Sequence, residues 1–315
     1  GQQSQWLKHR AIDSRMIDVG VSSGADVFHS HDLNTLRIGA RCKEATGKKL
    51  VYDSHELQTE RNRMSDHARR AAIKEEGRLL PSVDAMIVAS PSWIEWNQRL
   101  YGRLPDLTVT LLNVPEPTTI DLTKNLRTEL EIPDGQAVVI YQGSIQENRG
   151  IEPAIDAVDS LEMTTLIIIG YGYHRPALEM MVKDRGLEDK VRFFGPVPND
   201  ELVSYSASAD VGLANIVNSS VSYHTSLPNK LFEYVMAGIP VVGSDSPEIG
   251  RVIKEQHVGE VCDADDPVAL ASALRDVLDD PTRYRTAIEK TSQRYNWEVE
   301  QETLINLYSR LAQSM

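Results

Sequence analysis

Cysteine is nearly absent from this chain: Cys42 and Cys262 are the two in 315 residues, far apart and without metal-ligand spacing. That argues against a disulfide framework and against a zinc site, and it makes a reducing cytoplasm the expected compartment. Basic residues are outnumbered, 33 against 46 acids, for a net charge of -13. Phosphate-backbone binding wants a basic surface, so nucleic acid is not expected as a partner; a local basic pocket for one small anion is still allowed. No apolar run reaches the roughly 18–20 residues that span a bilayer, and the opening residues do not resemble a secretory signal. Internal repeats and low-complexity segments are also lacking.

What is present is the composition of a globular protein, 41% hydrophobic and 25% charged, with length for two domains. Apolar strands are expected at residues 25–32, 49–57, 84–90 and 107–116, separated by helical segments at 36–47, 67–80 and 91–102. Residues 115–135 hold three prolines with little apolar periodicity and predict a linker. A second series follows, with strands at 137–144, 164–172, 191–197, 210–216 and 240–245 and amphipathic segments between them. Such alternation predicts parallel sheets covered on both faces, hence two doubly wound α/β domains with a cleft between them. Ligands in such sheets bind beyond the carboxyl ends of the strands. Those ends carry HSHD, DSHE, QGS, GYG and the loop before SLPNK. The tail, RYNWEVEQETLINLYSRL, predicts a helix with Trp297, Leu304, Leu307 and Leu311 on one stripe.

SLPNKLFEYVMAGIPVVGSD (226–245) raises the sharpest question, because an apolar helix opens with Asn229, Lys230 and Glu233. A helix start offers free N–H groups and a positive dipole end to a phosphate. Lys230 adds a point charge, and Glu233 could accept from two vicinal hydroxyls of a ribose. The ordinary alternative, a solvated i,i+3 Lys/Glu pair, has about even weight on spacing alone. In YQGSIQENRG, Arg149 precedes a helix, where a cation is unfavourable unless an anion is present. Gly170 and Gly172 of the GYG turn allow close backbone approach, though most such turns merely join a strand to a helix. His29 and His31 of HSHD fall on one side of a strand by alternation. Asp265 or Asp266, before Pro267, predicts a helix cap rather than a metal-binding Asp-x-Asp pair, and no metal is assigned.

Taken in order, DVFHSHD, LVYDSHEL, VIYQGSIQENRGI, GYG, VRFFGPV, SLPNKLFEYVMAGIPVVGSD and the closing YNWEV helix resemble the GT-B glycosyltransferases, in particular the large retaining family four. The resemblance implies two Rossmann-like domains: residues 1–115 on the acceptor side, with a shortened start, and 116–294 binding the nucleotide sugar. The helix at 295–315 is expected to pack back toward the first domain. It further implies a metal-independent enzyme, without cofactor, that moves a sugar from a nucleotide diphosphate sugar to a glycan, lipid or small-molecule acceptor with retention. Uridine is the favoured nucleoside, from family frequency. Glu233 matches the ribose-binding acid; Gly143, Ser144, Arg149, Gly170, Gly172, Thr225, Leu227, Asn229, Lys230 and Leu231 fall in the donor-side segments. His31 matches the residue that reaches the donor sugar near the reacting carbon, and His55 and Glu56 lie on the acceptor side. The chain departs from the family at Thr225, where Glu is usual, at Ser226, Leu227 and Pro228, where glycines follow that acid, and at Ser144 and Arg149, which take the places of an Arg and a Lys. The expected location is cytoplasmic, at the inner membrane face if a lipid acceptor requires it. The rival readings are a sugar-nucleotide epimerase of the same architecture and a non-catalytic nucleotide-sugar binder.

Overall fold

The computed structural model describes residues 2–314, and its chain divides into two compact units. The first comprises residues 1–112, 220–222 and 301–315; the second comprises 113–219 and 223–300.

The first unit opens with helix α1 (Gln2–Ser22), followed by β1 (Val27–His31), α2 (Asp32–Thr46) and β2 (Lys49–Ser54). Then come α3 (Asp66–Leu79), β3 (Ala85–Val88), α4 (Pro91–Tyr101) and β4 (Leu107–Thr110). Its four strands form a parallel sheet in the order β1-β2-β3-β4. The central strands are continuous apolar runs, as a sheet covered on both faces requires. On one face Leu50, Tyr52, Met86 and Val88 pack with Leu33, Leu36, Leu79 and Trp93. On the other, Val51, Ala85, Ile87 and Leu107 meet Leu307 and Leu311 of the closing helix, with Leu304 beside them. The last strand stops at Thr110, short of the expected residue 116, and helix α1 precedes β1 in a segment for which no element was expected. There α1 lies close enough to α2 that a Cβ on Gly20 would stand 2.7 Å from Cys42 Sγ.

The second unit begins in the segment expected to be a linker. That segment is instead held in place: Asn125 caps the short helix α5 (Leu126–Glu129), Leu126 is fully buried, and the Arg127 guanidinium pairs with Asp210 at 2.5 Å. Thereafter run β5 (Ala137–Gln142), α6 (Ile151–Asp159), β6 (Thr164–Ile169), α7 (Arg175–Asp184), β7 (Val191–Phe194), α8 (Asn199–Ser206) and β8 (Val211–Ala214). They are followed by α9 (Val221–His224), α10 (Asn229–Met236), β9 (Val241–Ser244), α11 (Ile249–Gln256), β10 (Gly259–Cys262), α12 (Pro267–Asp279), α13 (Arg285–Arg294) and α14 (Trp297–Gln313). Two of these helices, α9 and α14, contribute residues to both units. The six strands form a parallel sheet in the order β10-β9-β8-β5-β6-β7. Strand order reverses between β5 and β8, and a ligand crevice is expected beyond the carboxyl ends at that switch point. Asp266 caps α12, accepting from the N–H groups of Val268 and Ala269.

Helix α10 is locked over this sheet by one side chain. A Cβ on Gly212 of β8 would fall 2.3 Å from the Tyr234 ring, so glycine there makes room for it. The Tyr234 hydroxyl donates to Ile140 O at 3.2 Å and accepts from Gln142 N–H at 3.0 Å. Leu231, Phe232 and Val235 bury the same face. The helix ends at Gly238, whose φ of +81° gives the left-handed stop that glycine accepts most readily.

Candidate functional site

The start of α10 stands beside the turn that leaves β5, and three charged side chains gather there. Lys230 is 8% exposed, and its Nζ has no hydrogen-bond partner. It sits 3.5 Å from the centroid of the Tyr141 ring, a cation–π contact that offsets part of the cost of burial. Burial drives the Lys230 pKa well below the usual lysine value; the Arg149 guanidinium adds to the depression and Glu233 opposes it. Arg149 stacks on Tyr223, 4.4 Å from its centroid, and its buried Nε also has no partner. A buried cationic side chain without a hydrogen-bonding anion is costly, and Lys230 beside the half-buried Arg149 marks a place suited to an anion.

Glu233 lies one turn further along the helix. Burial raises its pKa, while a hydrogen bond from Gln142 and the charge of Lys230 pull the other way. Gln142 Nε2 donates to Glu233, and Gln142 Oε1 accepts from Ser206, so the carboxylate is held from β5 and α8. Gln142 and Ser206 were not expected as site residues. The signal for Gln142 was its place as a polar end to the apolar run AVVIY, and it is 1% exposed. Ser206 has no such local signal.

The glycines of the neighbouring turns act on each other. A Cβ on Gly170 would stand 2.0 Å from Gly143 O, and one on Gly172 would stand 1.9 Å from Ile145 O. Their close backbone approach is therefore made to the β5–α6 turn. This packing presses the turn against Lys230, whose Nζ is 3.7 Å from where a Gly143 Cβ would be. Ser144 is exposed, and its carbonyl accepts from the Tyr141 hydroxyl at 2.9 Å. Beyond Gly143 and Ser144 opens a cavity of 260 Å³, walled by Gly170, Tyr171, Pro196, Val197 and Leu202. Its lining is mostly apolar; Tyr171, Pro196, Val197 and Leu202 had not been singled out.

Asn229 is exposed at the first position of α10, and no side chain caps that helix. Leu227 is buried and Thr225 half-buried in the preceding turn. The Leu231 side chain is fully buried in the core beneath α10, and its N–H donates to Pro228 O at 3.2 Å.

In the first unit, β1 and β2 pair so that His31 lies opposite Asp53. Alternation brings His29 to the same face, and the two imidazoles stack at 4.5 Å. His55 joins them, its Nε2 3.1 Å from His31 Nδ1, while its N–H donates to Asp32 at 3.0 Å. The expected catalytic histidine and the expected acceptor-side histidine are thus neighbours. Glu56 turns instead to Arg61 at 3.2 Å and Gln58 at 3.2 Å.

Two parallel α/β sheets, the first wound in one direction and the second doubly wound with a lysine and an arginine at its switch point, are the architecture of the GT-B glycosyltransferases. The chain belongs to the glycosyl transferases group 1 family, which residues 123–294 match. It is 26% identical over 312 residues to a D-inositol 3-phosphate glycosyltransferase of Corynebacterium diphtheriae, covering 91% of this chain and 71% of that protein. A lipopolysaccharide core biosynthesis glycosyltransferase of Rhizobium meliloti is 33% identical over 155 residues, 49% of this chain and 43% of the relative. Among solved structures, sucrose-phosphate synthase from Thermosynechococcus elongatus superposes with a TM-score of 0.78 at 20% identity, covering 96% of this chain and 78% of that one. Anabaena HepE, in complex with UDP-glucose, gives 0.78 at 19% identity, covering 94% and 82%. Among the described residues no helix is long and apolar enough to cross a membrane.

Proposed function

We propose that this glycosyltransferase takes a nucleotide diphosphate sugar, UDP-linked in the first instance, and transfers the hexose to an acceptor hydroxyl with retention and without a metal at the diphosphate. The observation that carries the reading is the buried Lys230 and the half-buried Arg149, each with a buried nitrogen that lacks a hydrogen-bond partner, beside the held carboxyl group of Glu233. The diphosphate supplies the missing partners, Glu233 takes the ribose hydroxyls, and the 260 Å³ cavity takes the base. HepE with UDP-glucose bound, at 19% identity, supports the ligand class through shared fold alone.

The chemistry then follows from charge. The bond between the anomeric carbon and the diphosphate oxygen breaks, and negative charge develops on the departing diphosphate. Lys230 and Arg149, fixed in a water-poor site, stabilise that charge without reorganising. The acceptor oxygen bonds to the anomeric carbon from the same face, and its proton passes to the leaving diphosphate oxygen. His31 is assigned to the sugar during this step.

Calorimetry with UDP and uridine tests the assignment of the cradle. UDP should bind at least ten-fold more tightly than uridine. Glu233→Ala should weaken both alike, by about 1.5–3 kcal/mol, the scale of hydrogen bonds to a charged group. Lys230→Met should weaken UDP only. Equal affinity for UDP and uridine in the unaltered protein would sink the diphosphate assignment. Retention is read from the anomeric coupling constant of the product against that of the donor.

A further inference from the structure

The ends of β1 and β2 bring four side chains to one point. His29 Nε2 is 3.1 Å from Asp53 Oδ2, His31 Nδ1 is 3.4 Å from the same oxygen, and His55 Nε2 is 3.3 Å from it. A fourth contact, 3.1 Å, joins His31 Nδ1 to His55 Nε2. No placement of protons turns all four contacts into hydrogen bonds. Each imidazole nitrogen carries one proton at most, so if His31 and His55 both donate to Asp53, both nitrogens are protonated and their 3.1 Å contact has no acceptor. If one donates to the other, its own contact to the carboxylate is lost. A single cation accepts all four lone pairs at once.

We propose that His29, His31, His55 and Asp53 form a binding site for a divalent transition metal of the zinc class. The four separations above fit: ligand bonds of about 2.0–2.1 Å in a tetrahedron put the ligand atoms about 3.3 Å apart. The ligand atoms of His29, His31 and Asp53 all lie within 4.8 Å of one another, and His55 approaches Asp53 and His31 from the rim, where it can close in as the fourth ligand. Imidazole nitrogen with one carboxylate is a donor set suited to zinc, cobalt or nickel rather than magnesium or calcium. An outer contact is in place as well. His29 Nδ1 is 2.6 Å from the Tyr308 hydroxyl, which fixes the ring and leaves Nε2 for the metal, as second-shell partners of ligating histidines do. Access is open, since the side chains of His31 and His55 are 58% and 52% exposed. Coordination through Nδ1 leaves Nε2 of His31 available to a substrate, so the site is compatible with the role assigned to that residue and would hold its ring in one orientation.

The probe is Co²⁺, added to the full chain after chelator treatment. Visible d–d bands of tetrahedral intensity should grow to one equivalent and then stop. His29→Ala should abolish them, His55→Ala should weaken binding at least ten-fold, and Tyr308→Phe should weaken it about 10–100-fold, the usual effect of losing an outer-shell partner. Thermal melts without metal establish that each variant is folded, and His31→Ala, on an exposed ring, replaces His29→Ala if that variant is not. Absence of bands at one equivalent in the unaltered protein overturns the proposal, as do bands that survive in the folded ligand variants.

Discussion

Lys230 is the residue on which the donor site turns, and it sits at odds with the stability of the empty protein. Its amino group is buried beside the Arg149 guanidinium, with an aromatic face and Glu233, whose own pKa burial raises, to oppose the cost. Replacement by an apolar residue of similar length should therefore stabilise the ligand-free protein. Lys230→Met should raise Tm by roughly 2 °C or more, the shift that about 1 kcal/mol gives in a domain of this size, while diphosphate binding falls. A lowered Tm would show that the lysine is compensated in the empty site. The same burial sets a pH dependence. Because the folded pKa is depressed, the unfolded chain binds more protons between that value and about 10.4, so this group makes stability rise with pH across the window. A bound diphosphate favours the charged lysine and should draw a proton in. Calorimetry in buffers of different ionisation enthalpy should then register proton uptake on UDP binding above the depressed pKa, with affinity declining as pH rises. The uptake should vanish in Lys230→Met.

At the scale of elements, two turns hold the cradle in shape by backbone contact. Gly170 combines a φ of +139° with a would-be Cβ only 2.0 Å from Gly143 O. Gly186, in the same unit, has a φ of +65° with nothing within 4 Å. Alanine at either position meets the cost of positive φ, about 1 kcal/mol or a little more. Only Gly170→Ala must also push the β5–α6 turn away from the β6–α7 turn. It should lower stability by about 1–3 kcal/mol more than Gly186→Ala and weaken UDP binding, whereas Gly186→Ala leaves binding alone; denaturant melts with paired titrations separate the two. Equal effects would mean that the turn contact is incidental. These elements also mark what the sequence could tell. Continuous apolar runs such as LIII and AVVIY announced the buried strands, and the start of α10 announced its charges. Helix α1 gave no warning because its apolar residues form no one-sided stripe, and β10, GEVC, is short and mixed. Within the site, Lys230, Arg149 and Glu233 were legible as charges at a helix start. Gln142–Ser206 and the contact between HSHD and DSHE were not, because they depend on which strands and helices become neighbours.

Across the whole molecule, the groups assigned to the nucleotide and the group assigned to the sugar come from different units. Every side chain proposed to hold the nucleotide lies between residues 141 and 233 of the second unit, and His31 lies in the first. Substitution of His31 therefore leaves the nucleotide cradle chemically untouched. If His31 acts on the sugar as the anomeric bond breaks, its loss should appear in the transition state and not in donor binding. His31→Ala should keep UDP affinity within a factor of a few, yet lower transfer on the order of 100-fold, the usual size of one positioned polar contact in catalysis. Because the same ring is a ligand in the proposed metal site, Tyr308→Phe supplies the control: it weakens metal binding and leaves the His31 imidazole in place. Transfer that falls in His31→Ala but persists in metal-depleted Tyr308→Phe assigns the effect to the imidazole itself. Equal loss in both, with UDP affinity intact, assigns it to the metal that orients the ring. A UDP affinity that collapses together with turnover in His31→Ala would remove His31 from the catalytic step altogether and make it a residue needed for donor binding.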